Sequence, residues 1–140
     1  MAAGAWRNYR KSAILILVSA IHVVFYADAD GTPALEWLSK LPDRAYAKGL
    51  VRIERLSELG HELRRPEADT LRNGIYELRW RLGHVNYRLL YFFHGRAAVV
   101  LAQGLTKEDQ VPSRDIDLAI ARRGAYLKDP EKHSHYEGLK

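Results

Sequence analysis

A chain of 140 residues, 47% of them hydrophobic, can bury one real core and is too short for two ordinary domains. Its net charge of +5 favours an anionic partner. The absence of cysteine excludes disulfides and thiolate chemistry and fits a cytoplasmic protein.

Residues 1–27 open with Arg7, Arg10 and Lys11 ahead of an apolar run, Ala13 to Ile21, the layout of a secretory signal. No small-residue cleavage site follows, however, and the β-branched run continues through Val23, Val24 and Phe25. It is also too short, and His22 too disruptive, for a comfortable membrane span. A strand with an N-terminal extension over 1–21 is the preferred reading; a signal or a membrane anchor are the others.

Thr32 is placed to cap a helix that starts at Pro33, where the missing N–H costs nothing. Leu35, Leu38 and Leu41, with Trp37, form its apolar stripe. Pro42 and Asp43 separate it from a second helix in which Ala47, Leu50, Ile53 and Leu56 recur at helical spacing until Gly60. The two make an αα-hairpin whose Lys40, Arg44, Lys48, Arg52 and Arg55 read as a solvated face. Residues 63–73, polar and holding Pro66, read as a loop or short helical turn.

Next comes a hairpin over 75–93. Tyr76, Leu78, Trp80 and Leu82 alternate with Glu77, Arg79 and Arg81, the pattern of a strand with one face on a core and one free. After the turn residues Gly83 to Asn86, an aromatic strand returns over 87–93, interrupted by Arg88. Trp80 and Tyr91 fall by parity on the core side. Residues 64–96 hold seven arginines, no lysine and three acids, so most of the net charge lies here. Arginine's planar fork suits phosphate.

A third strand follows over 97–102, then a polar connection with Lys107, Glu108, Asp109 and Gln110. Pro112 and Ser113 open a last helix that offers Ile116, Ile120 and Leu127 to the core and ends near 128. Residues 129–140 read as a mobile tail. Its His133 and His135 lack a third ligand nearby, and Glu36 and Glu54 show no sign of a paired-carboxylate site. Runs of helices then strands give an α+β class, with helices on one face of a small antiparallel sheet and arginines on the other.

The string Gly74-Ile75-Tyr76-Glu77-Leu78-Arg79, then Tyr87-Arg88-Leu89-Leu90-Tyr91-Phe92-Phe93, Gly104-Leu105-Thr106-Lys107 and Pro112-Ser113-Arg114-Asp115-Ile116, resembles the phage-derived, HigB-like branch of the RelE toxin superfamily. Thr32 to Leu38 and Arg65 to Asp69 are similar too. The resemblance covers residues 22–128, which implies a toxin domain with a RelE-like fold: a small antiparallel sheet, an N-terminal αα-hairpin and a C-terminal helix. It further implies a metal-free endoribonuclease of a type II toxin–antitoxin module, cutting mRNA on the ribosome without a cofactor. The partner implied is a cognate helix-turn-helix antitoxin.

By the same resemblance, Arg79 and Arg88 would act on the scissile phosphate, and Lys107 would help activate the 2′-hydroxyl or hold the RNA backbone. Arg81 is a further candidate for RNA contact, and His84, in the hairpin turn, has a pKa suited to proton transfer. The chain departs from the family pattern in its basic loop. That loop is one residue short, Glu108 follows Lys107 where relatives carry two lysines, and Val111-Pro112 stands where some carry a catalytic tyrosine. These departures motivate a rival expectation, a degenerate toxin that binds RNA or antitoxin without cleaving.

Overall fold

The valines and aromatic residues after Ile21 favour extended backbone, and in the computed structural model, which describes residues 21–106 and 109–136, they form β1 (His22–Tyr26). The signal, anchor and extension readings of the first 20 residues lie outside the described residues. β1 leads into α1 (Pro33–Ser39) and α2 (Asp43–Leu59), the helical hairpin expected from the leucine spacing. Thr32 stands at the first cap, but its side chain makes no capping bond; Glu36 reaches back instead, its Oε2 accepting from the Thr32 N–H at 2.9 Å. Gly60, with φ of 56°, stops α2.

A 3-10 turn over Gly60–Glu62 precedes β2 (Ala68–Thr70), β3 (Tyr76–Leu82), β4 (Val85–His94) and β5 (Ala98–Thr106). β2 lies inside the segment expected to be a loop; three residues are too few for a period-two pattern to declare itself. The β3–β4 turn is shorter than expected, with only Gly83 and His84 between the strands, and Gly83 takes the positive φ such a tight turn needs. α3 (Ser113–Lys128) and the two-residue β6 (Ser134–His135) complete the described chain. β6 pairs with Phe25 and Tyr26 of β1, so part of the stretch expected to be a mobile tail sits on the sheet.

The class is α+β. The sheet runs β2-β3-β4-β5-β1-β6 and is mixed, because β1 lies parallel to β5 while the other pairs are antiparallel. Helices cover both faces, not one. α1 and α2 pack on the face that carries Leu78, Trp80, Leu89 and Tyr91, where Leu38, Ile53 and Leu56 are fully buried. α3 covers half of the other face, burying Ile116, Ala119 and Tyr126 against Leu90, Phe92 and Val100. Tyr126 takes the core place expected for Leu127, which is exposed. At a bulge in β5 the register with β4 shifts between Leu90 and Tyr91. There Gln103 donates to the Asp115 carbonyl at 2.8 Å and accepts from Arg122 at 2.9 Å, which fastens α3 to the sheet.

Under the first face, Trp37 packs edge-on against Trp80 at 5.7 Å between ring centres and donates from Nε1 to Thr106 Oγ1 at 2.9 Å. Trp80 stacks on Tyr87 at 5.8 Å and donates to the Ala45 carbonyl at 3.1 Å. Both buried indoles are thus satisfied, and each aromatic pair adds about 0.5–1.5 kcal/mol beyond its area. Among the described residues no helix is long and apolar enough to cross a membrane.

Glu67 ties α2 to the start of the sheet. The Arg55 fork donates to both its carboxylate oxygens at 2.9 Å, Arg52 lies 3.6 Å away, and the Glu67 carbonyl accepts from the Arg79 N–H at 2.8 Å. The Arg55 hydrogen bonds hold its carboxyl below the usual carboxylate range against the opposing effect of burial. A depressed folded-state pKa gives stability that is present above the unfolded value and lost as pH falls through the folded one. Glu67→Gln is therefore expected to lower the thermal midpoint at pH 7 and to converge on the wild type in acid. Melts at both pH values check this; an equal gap in acid and at neutrality would contradict it.

Candidate active site

The half of the second face that α3 leaves uncovered is polar. β3 contributes Glu77, Arg79 and Arg81 to it, and β4 contributes Asn86 and Arg88, with Arg79 directly opposite Arg88 and Arg81 opposite Asn86. Period two on both strands therefore brings three of the five predicted site residues together. Arg79, Arg81 and Arg88 line one cleft of about 390 Å³, with Arg52, Arg65 and Asn86 as further lining groups and Trp80 and Pro66 in its wall. His84 is exposed at the hairpin turn and does not line this cleft. Lys107 lies outside the described residues.

The strand that carries Arg79 and Arg81 is held from α2. β2 pairs with β3 only over Tyr76, Glu77 and Leu78, which leaves the outer edge of β3 open beyond. Arg52 Nε donates to the Arg79 carbonyl at 2.8 Å, and Lys48 Nζ donates to the Arg81 carbonyl at 2.9 Å. Two cations one helical turn apart thus satisfy edge acceptors that a neighbouring strand would otherwise take. The helix face expected to be merely solvated has work at the sheet edge, and its Arg52 reaches the cleft. The sequence signal for this was the i,i+4 spacing of Lys48 and Arg52, which marks one helix face. Arg65, the other lining arginine outside the hairpin, keeps its side chain 65% exposed while pairing with Asp69 at 2.9 Å.

The face is not free in the sense that strict alternation implied. Glu77 and Arg88 are each only 6% exposed. Arg88 Nε lies 3.0 Å from Glu77 Oε1, and Arg79 Nε lies 3.9 Å from Glu77 Oε2. Neither nitrogen is aligned to donate a hydrogen bond to the carboxylate, so both contacts are coulombic rather than directional. Arg88 does donate from Nη2 to the Asp109 carbonyl at 2.9 Å, which anchors the chain ahead of α3 to β4. Burial pushes the Glu77 carboxyl up, with Arg88 and then Arg79 pulling the other way. Burial also lowers the Arg88 guanidinium, opposed by Glu77. Desolvation outweighs attraction for both groups, as it does where charges pair away from water without good alignment.

Arg88→Ala leaves that carboxyl without its close partner and removes the Asp109 anchor. The expected cost is about 2–4 kcal/mol, at or below the range for a broken buried pair because Glu77 can take up a proton. Urea unfolding measures it, and a loss under about 0.5 kcal/mol, the scale of an ordinary surface change, would contradict the burial argument.

Chemically, the charge of the cleft favours anions. Five guanidiniums line it and the buried Glu77 carboxyl lies beside two of them without lining it, an arrangement suited to binding a polyanion and to stabilising charge that develops on phosphorus oxygens. A model of the phage-derived Gp49-like protein family matches residues 36–124, from α1 through most of α3 and including the whole hairpin. Probable endoribonuclease HigB1 of Mycobacterium tuberculosis, in each of two strains, is 31% identical to this chain over 100 residues, 71% of this chain and 78% of that protein. The chain therefore belongs to the Gp49-like family of phage-derived proteins, a family of RelE/HigB-type toxins.

Proposed function

We propose that this chain is the toxin of a type II toxin–antitoxin module, an endoribonuclease that cuts mRNA on the ribosome in the cytoplasm and is neutralised by a helix-turn-helix antitoxin. The toxin domain in this reading spans residues 22–128. The observation that carries it is the convergence of Arg52, Arg65, Arg79, Arg81 and Arg88 on one cleft. The similarity to a protein named an endoribonuclease supports the reaction class.

In this mechanism the substrate's own 2′-hydroxyl attacks the adjacent phosphorus. The O2′–P bond forms, the P–O5′ bond breaks, the 2′-hydroxyl proton is lost and O5′ gains one. The products are a 2′,3′-cyclic phosphate and a 5′-hydroxyl, and no metal or cofactor takes part. Arg79 stabilises the phosphorane oxygens. Arg88, largely held by Glu77 and Asp109, supports the same charge from below and keeps the loop entrance in place. Arg81 holds the flanking backbone, as His84 does at the tip of the hairpin, and Lys107 helps activate the nucleophile.

Induced expression of the wild type beside Arg79→Ala, Arg81→Ala and Lys107→Ala tests the proposal, with growth followed and new RNA 5′ ends mapped. Growth arrest with fresh ends in translated messages, weakened by the substitutions at equal protein level, is the expected result. Abundant, folded wild type with neither arrest nor new ends would overturn it and favour a binding module without cleavage.

A further inference from the structure

An acid buried beside a cleft lined by five arginines needs a reason, because its charge opposes an anionic substrate. Glu77 sits at the boundary between the two halves of the face, next to Leu78 in β3 and in register with the buried Leu90 of β4. Its two oxygens divide between two arginines on adjacent strands, Oε1 toward Arg88 at 3.0 Å and Oε2 toward Arg79 at 3.9 Å. The charged groups that act on it are Arg79 on its own strand, Arg88 on β4, Asp69 on β2 and Arg65 before β2. Two long cations side by side would otherwise swing apart. A carboxylate between them limits that motion and leaves Arg88 pointing its Nη2 at the Asp109 carbonyl. Arg88 is held by the shorter charge contact together with its hydrogen bond to Asp109, and Arg79 by the longer charge contact, so Arg79 keeps freedom to turn its fork toward an arriving phosphate.

We propose that Glu77 is a positioning residue of the cleft, orienting Arg79 and Arg88 for an RNA phosphate and, through Arg88, holding the chain at Asp109. The inference rests on the cleavage reading above. It makes the acid unfavourable for binding and favourable for turnover, two effects that a merely structural residue would not separate. Glu77→Gln keeps the side chain's shape and removes its charge. It should tighten binding of a single-stranded RNA oligonucleotide about two- to threefold, because a negative charge beside the cleft is removed. It should also lower kcat about tenfold, because the arginines are no longer aligned. Glu77→Asp keeps the charge but shortens the reach, and should lower kcat without tightening binding.

The experiment measures kcat and oligonucleotide affinity for the wild type and both variants, with the arginine Nε–Hε resonances of wild type and Glu77→Gln recorded alongside. Opposite movement of kcat and affinity in Glu77→Gln supports the inference. Unchanged kcat, or a fall in both in proportion to the folded fraction, overturns it. Should the wild type leave RNA intact, the cleavage reading falls and the resonances decide the positioning. Loss of the distinct Arg79 and Arg88 signals in Glu77→Gln supports it, and their persistence unchanged overturns it.

Discussion

Arg79→Ala is expected to slow RNA cleavage by about 10²- to 10³-fold, the loss that follows removal of one preorganised donor to a developing oxyanion. The size of the effect comes from position. Arg79 lines the cleft at the middle of β3, opposite Arg88, and its guanidinium is tethered only loosely, 3.9 Å from Glu77. Its backbone, by contrast, is fixed on both sides, the N–H donating to the Glu67 carbonyl at 2.8 Å and the C=O accepting from Arg52 at 2.8 Å. Truncating the side chain therefore leaves the strand in place. Single-turnover cleavage paired with a thermal melt checks both halves: a rate within about threefold of wild type, a difference of under 1 kcal/mol in barrier, would remove Arg79 from the chemistry.

A large effect on folding is also expected at Gly104. A Cβ built there would stand 2.0 Å from Trp37 Cδ2 and 2.1 Å from Cε3, well inside contact distance. Trp37 cannot yield cheaply, since it is wedged against Trp80 and Tyr87 and bonded through Nε1 to Thr106. Gly104→Ala thus forces the indole out of its aromatic cluster, at an expected cost of about 3 kcal/mol, the upper part of the range for overpacked cores. Urea unfolding measures the loss. Pairing the change with Trp37→Leu should recover a good part of it, because residues in direct contact do not add. A Gly104→Ala midpoint equal to wild type would show that the ring moves freely.

How much of this was legible in the sequence depends on the range over which each feature is encoded. The leucine spacing in 35–56 and the alternation in 76–82 encode α1, α2 and β3 locally, and the structure has them. Trp80 and Tyr91 are buried, as their parity implied. Parity could not report that Glu77 and Arg88 are buried too, because alternation says which face a residue is on and nothing about what covers that face. Glu77 lies against Arg88 across the two strands, and Arg88 reaches the Asp109 carbonyl ahead of α3, contacts that no local pattern announces. β1 beside β5 is a non-local pairing with no local signature, and the i,i+4 spacing of Lys48 and Arg52 marks one helix face without saying that it meets the β3 edge. For the site, the hairpin arginines were visible because two strands in register collect them, whereas Arg52 and Arg65 join the cleft only through folding, and Asn86, read as a turn residue, lies in β4 opposite Arg81.

Cleavage by attack of the 2′-hydroxyl is tested with a defined message, translated in a reconstituted reaction with the purified protein, and the same message with a single 2′-deoxy substitution at the mapped cut. The all-ribose message should be cut, leaving a 2′,3′-cyclic phosphate and a 5′-hydroxyl, and the substituted message should survive at that position. A message cut equally well without the 2′-hydroxyl, or one left whole by folded protein, would contradict that mechanism.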